Sequence, residues 1–238
     1  MNPIPFISTL VTFIFTAILM QRFAVRRGFH YLMWSIGFLF YGLGTVSEVI
    51  LSLTFNEWVL KLWYLSGAML TAAWLGQGTF YLLIRKTRTV HAFSLGLALI
   101  SLLSVILLAS SPLTAAAGSF LTNQPISSQY KDILVRSGLL TTLTILLNIY
   151  GTLLLVGGAL YSAFLFWRKQ VLLNRVIGNL FIAAGALSPA MAGTFVKAGL
   201  VDGLYLSELV GVVVMLIGFY FATAHQTANK TSSVPASD

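Results

Sequence analysis

The sequence predicts an all-α integral membrane protein, a seven-helix bundle with its N-terminus outside and its C-terminus in the cytoplasm. Three observations predict it. Of the 238 residues, 58% are hydrophobic and only 8% are charged, whereas a soluble domain carries about 25% charged residues. The mean hydropathy is +0.89. Seven apolar stretches also recur along the chain, each near the roughly 20 residues a helix needs to cross the hydrocarbon core. They cover 4–22, 30–53, 58–84, 90–110, 138–166, 175–198 and 204–225, so residues 1–225 form one transmembrane domain.

The first stretch opens on "MNPIPFISTL", which has no basic segment ahead of it and no small-residue cleavage site behind it. It reads as a retained helix and not as a signal peptide. Arg22, Arg26 and Arg27 follow it. The second carries "GLG" at 42–44 and Glu48 near its far end. The third carries "GQG" at 76–78 and runs into Arg85, Lys86 and Arg88. Between the fourth and fifth lies 111–137, where "SPLTAAAGS" gives way to the more amphipathic "SQYKDILVR". That segment reads equally as a short helix covering an outward cavity or as a plain connector. The fifth span has Asn148 near the midplane and "GG" at 157–158, with Arg168, Lys169 and Arg175 beyond it. The sixth holds "AAGA" at 183–186 and Pro189, which removes one helix hydrogen bond and predicts a kink. After the seventh, 226–238 is polar and reads as a disordered cytoplasmic tail.

Ten of the fourteen basic residues (the nine after spans one, three and five, with Lys230) fall on one side, which the positive-inside rule makes cytoplasmic. The expected location is a bacterial inner (plasma) membrane. The glycines and alanines inside the spans predict close helix packing, because lipid offers no hydrophobic force between helices. Tryptophans 34, 58, 63 and 167 fit interfacial aromatic belts.

An internal repeat adds to this outline. Shifted by 141 residues, Ile36, Gly37, Leu39 and Phe40 fall on Ile177, Gly178, Leu180 and Phe181, and Gly44 and Ser47 fall on Gly185 and Ser188. Tyr64-Leu65-Ser66 falls on Tyr205-Leu206-Ser207, and Arg27 falls on Arg168. Spans 1–3 and 5–7 then form two parallel copies joined by span 4. In topology this 3+1+3 plan resembles the SWEET and PQ-loop transporters, and its span count and orientation resemble the seven-helix sensor regions of bacteria. The transporter resemblance implies a substrate site between the two halves. A retinal Schiff base needs a lysine mid-way along the last span, and "GVVVMLIGFYF" at 211–221 has none.

The net charge of +8 sits in short clusters between apolar runs, a pattern of orientation signals and not of nucleic-acid binding. Without cysteine, thiolate chemistry and disulfides are excluded. No phosphate loop, nucleophile elbow or paired-carboxylate catalytic pattern occurs, so an enzyme is not expected. His30, His91 and His225 fall at cytoplasmic helix ends with no carboxylate in that half before Asp238, and read as interfacial side chains.

Ionisable side chains inside a span cost at least about 2.5–3.5 kcal/mol at the centre and default to functional candidates. Glu48 and Glu208 lie at comparable depth, with Lys61 and Lys197 near the same outer boundary. Two readings stand here: a structural ion-pair network, or the polar part of an outward ligand cavity. Tyr64, Trp74, Gln77 and Asn148 complete the candidate ligand site; amides and aromatics at that depth suit a small ligand in an apolar pocket, or plain interhelical hydrogen bonds. The functional expectation is a small-molecule transporter or ligand-binding, receptor-like protein. The alternative is a non-catalytic accessory or scaffold subunit of a larger membrane complex. The lipid bilayer is the expected partner; a small-molecule ligand, a homo-oligomer and a larger complex are the others considered. No cofactor is specified by the sequence.

Overall fold

The computed structural model describes residues 3–84, 86–170, 173–197 and 201–223, with side chains throughout except at 190–197, 201 and 202. Eight helices account for most of the described chain: α1 (Ile4–Arg26), α2 (Phe29–Leu51), α3 (57–83), α4 (Thr87–Ala109), α5 (Ile126–Ile133), α6 (Gly138–Arg168), α7 (Leu173–Lys197) and α8 (Val201–Thr223). Five of them, α1, α2, α4, α6 and α8, are long and apolar enough to cross a membrane. The tail expected from residue 226 lies outside the described residues.

Local chemistry sets the helix ends. Asn56 caps α3, its Oδ1 accepting from the backbone N–H of Trp58 and Val59 at 2.9 and 3.2 Å. Ser137 does the same for α6, accepting from Leu140 N–H at 3.2 Å. Two helices depart from regular α geometry inside their spans, which the hydropathy pattern does not reveal. Tyr64–Leu70 of α3 and Leu153–Gly157 of α6 are π-helical. A wider turn leaves carbonyls that need other donors. Thr71 Oγ1–H bonds the Ser66 carbonyl at 2.8 Å, and Asn148 Nδ2–H of α6 reaches across to the Ala68 carbonyl at 2.7 Å.

Packing follows chain order except at one step. α1 packs on α2, α2 on α3, α3 on α6, α6 on α7, α7 on α8, and α8 returns to α1, so six helices close a ring. α4 stands outside the ring against α3 and α6. Small residues let backbones meet. The Cβ direction of Gly44 points at Gly67 Cα, 3.1 Å away, and that of Gly151 points straight into the Ala72 backbone. Pro189 sits inside α7, which remains helical through it, and Gly211 of α8 makes room for the proline ring. Hydrogen bonds add to the contacts: Thr9 to Thr45 between α1 and α2 at 2.9 Å, and Ser188 Oγ–H to the Ser207 carbonyl between α7 and α8 at 2.7 Å.

The segment between α4 and α6 is the covering helix of the two readings above, and not a plain connector. Its two ends are tied by a Leu113–Leu134 bridge and by Thr114 N–H to the Ile133 carbonyl at 2.9 Å. α5 rises between them and lays Tyr130 on the rings of Trp63 and Tyr64, at centroid distances of 5.2 and 5.7 Å.

Candidate functional site

Inside the ring and beneath α5 lies a cavity of about 550 Å³. Its wall draws on α2 (Tyr41, Glu48), α3 (Trp63, Gly67), α6 (Asn148), α7 (Pro189) and α8 (Glu208), with Ser127, Tyr130 and Lys131 of α5 above. Two carboxyl groups therefore face one space from the two helices that flank α1, Glu48 near the C-terminus of α2 and Glu208 in the second turn of α8. Both line the same cavity.

Their partners are few. Trp63 Nε1–H donates to Glu48 Oε1 at 2.9 Å, and Tyr41 O–H donates to the Glu208 backbone carbonyl at 2.8 Å. Oε2 of each glutamate is buried without a hydrogen-bond partner, as is Ser127 Oγ. Two carboxylates facing one buried space repel each other, and a cation between them would remove that repulsion. At the lid, burial pushes the Tyr130 phenol above its ordinary pKa against the opposing pull of the nearby Arg136 guanidinium.

The floor of the cavity is apolar. Leu75, Leu155 and Met215, from α3, α6 and α8, line both the cavity and a void of about 20 Å³ below it. Under them Phe15, Phe38 and Phe219 form an aromatic plug, with Phe15 at 4.2 and 5.4 Å from the other two ring centroids. The Arg22 guanidinium caps Phe219 at 4.8 Å. The cavity thus lies on the α5 side of a greasy barrier.

Of the candidates named from sequence, Glu48, Glu208 and Asn148 line this space. Asn148 spends its amide hydrogens on the Ala68 and Thr144 carbonyls, so it braces the wall. Three others stand elsewhere. Tyr64 hydrogen-bonds Thr144 at 3.0 Å, and Trp74 Nε1–H bonds Ser101 of α4 at 3.2 Å. Gln77, fully buried, donates to Ser94 Oγ and the Val90 carbonyl and accepts from Tyr150. These bonds join α3 to α4 and α6. The side chain of Lys197 lies outside the described residues. Lys61 does not join the glutamates: a helical turn after Glu57, it pairs there at 2.6 Å and donates to the Ala109 carbonyl at 3.1 Å.

Sequence reading passed over Tyr41, Ser127 and above all Trp63. Trp63 looks like a belt residue, as Trp58 and Trp167 are at 64% and 61% exposed, yet it is 7% exposed and bonded to a carboxyl group. Its fifteen-residue spacing from Glu48 across a short loop was the available signal, since α2 and α3 are antiparallel neighbours. His30 and His91 pack against aromatic rings, and no cluster of three metal-ligating side chains occurs among the described residues. No protein-family model matches the chain, and comparison with curated proteins and with solved structures finds no match.

Proposed function

We propose that this is a seven-span membrane protein of the inner membrane that binds a small molecule in the cavity between its two three-helix halves, and moves it across the bilayer or senses it. The observation that carries this reading is the cavity itself: a walled space with two buried, unpartnered carboxyl oxygens at one level. A pocket of this size with few convergent polar groups is the usual form of a small-ligand site. The parallel repeat accounts for its place. Gly37 and Gly44 in the first half, and their counterparts Gly178 and Gly185 in the second, each meet the following helix closely. The contacts α3–α6 and α8–α1 are likewise equivalent under the repeat. The apolar floor favours transport over a purely structural role, since alternating access needs a site closed to one side.

Native mass spectrometry of the protein in mild detergent tests the reading. A bound species of small mass should stay with the native chain and be lost from Glu48→Gln and Glu208→Gln, with both variants folded. Retention by both variants would remove the role given to the carboxyls. A co-purifying protein in place of a small molecule would favour the accessory-subunit reading.

A further inference from the structure

We propose that the ligand is an organic cation, a protonated primary amine whose ammonium group sits between Glu48 and Glu208. This rests on reading the cavity as a ligand site and adds the ligand's charge. The unsatisfied atoms point to it first. Glu48 Oε2, Glu208 Oε2 and Ser127 Oγ are buried in residues that line the cavity and have no partner. The two carboxylate oxygens accept and the serine hydroxyl can accept as well, and an ammonium group brings three N–H donors and no acceptor. Glu48 is only 4% exposed.

The charges point the same way. Among the described residues neither glutamate has an ion-pair partner, because the basic side chain closest along α3, Lys61, is held by Glu57. Lys131 of α5 is the one basic residue in the described wall, and it is exposed. A cation between the carboxyls removes their mutual repulsion, whereas an anionic ligand would add to it. The rings of Tyr41, Trp63 and Tyr130 stand in the same wall, and ring faces attract ammonium groups. Tyr130 already carries a cation of the protein's own, with the Arg136 guanidinium 5.2 Å from its centroid. The apolar floor at Leu75, Leu155 and Met215 would receive the hydrocarbon part.

Three probes of one shape test this: phenethylamine, phenethyl alcohol and phenylacetate, titrated into the full chain in lipid nanodiscs. Tryptophan fluorescence reports on Trp63, and equilibrium dialysis checks the affinities. Charge-assisted hydrogen bonds should make the amine bind at least about tenfold tighter than the alcohol, and phenylacetate weakest. Glu48→Gln and Glu208→Gln should each lower the affinity for the amine by more than that for the alcohol, so that the tenfold preference shrinks. Glutamine preserves an oxygen for the Trp63 N–H, and the ratio in the native chain decides even if a variant does not fold. Equal binding of amine and alcohol, or tighter binding of phenylacetate, overturns the cation and leaves the cavity reading standing. Binding by none of the three also overturns it; the bound species in native mass spectrometry then judges the cavity reading separately.

Discussion

Glu48 is 4% exposed, yet only one of its carboxyl oxygens has a hydrogen-bond partner, the indole N–H of Trp63. Removing that donor leaves a buried carboxyl group still less satisfied, at a cost of about 1–3 kcal/mol. Trp74 makes a chemically similar bond, to Ser101, but both groups there are neutral and such interhelical bonds average about 0.6 kcal/mol. Trp63→Phe should therefore lower stability clearly more than Trp74→Phe, read as the shift in thermal unfolding of the two variants in the same detergent. Equal shifts would mean that the Glu48 contact carries nothing beyond ring packing. The carboxyls were legible from sequence because a charge in a greasy run is conspicuous whatever surrounds it. Trp63 and Tyr41 were not, because an aromatic residue near a helix end has an ordinary explanation. Which of its faces meets a carboxyl group depends on the rotation of two helices about their axes. Gln77 and Trp74 show the converse: deep polar atoms attract notice, yet theirs are fully used in joining α3 to α4 and α6.

The joint between α3 and α6 depends on glycine in a way that α4 does not. A Cβ at Gly151 would press on the carbonyl group of Ala72 and the nitrogen of Ala73, which are backbone and cannot swing aside. Overpacking of this kind costs about 1–3 kcal/mol. Gly96, in the middle of α4, has open space around its Cβ direction. There alanine only improves helix propensity, by up to about 1 kcal/mol. Gly151→Ala should thus destabilise and Gly96→Ala should be neutral or stabilising, measured by denaturation in mixed micelles. Two losses of equal size would contradict the placement of these glycines. In the sequence the two look alike, since each is one small residue in an apolar span. The π segments at Tyr64–Leu70 and Leu153–Gly157 flank the same joint and were equally hidden. Nothing in residue type distinguishes an i→i+5 turn from an α turn; the supporting Asn148 bond reveals it only once α6 is in place.

At the scale of the molecule, the hydropathy pattern gave the positions of the long helices. It does not supply the lid or the floor, which arise from segments far apart in sequence, Tyr130 on Trp63 and Leu75 beside Leu155 and Met215. The lid fixes the test of orientation. α5 belongs to the segment between α4 and α6, and Arg27 follows α1. If every long helix crosses the membrane, Ser128 and Arg27 lie on opposite faces. By the positive-inside rule, the arginines and lysines that cluster beside Arg27 predict that its face is the cytoplasmic one. The natural chain has no cysteine, so Ser128→Cys and Arg27→Cys each place one thiol without further change. A membrane-impermeant maleimide applied to intact cells should label the exposed position 128 and leave position 27 unlabelled until the cells are lysed. Labelling at 27 alone would reverse the orientation. Labelling of both in intact cells would put the two positions on one face and remove the parity on which the seven-span reading depends.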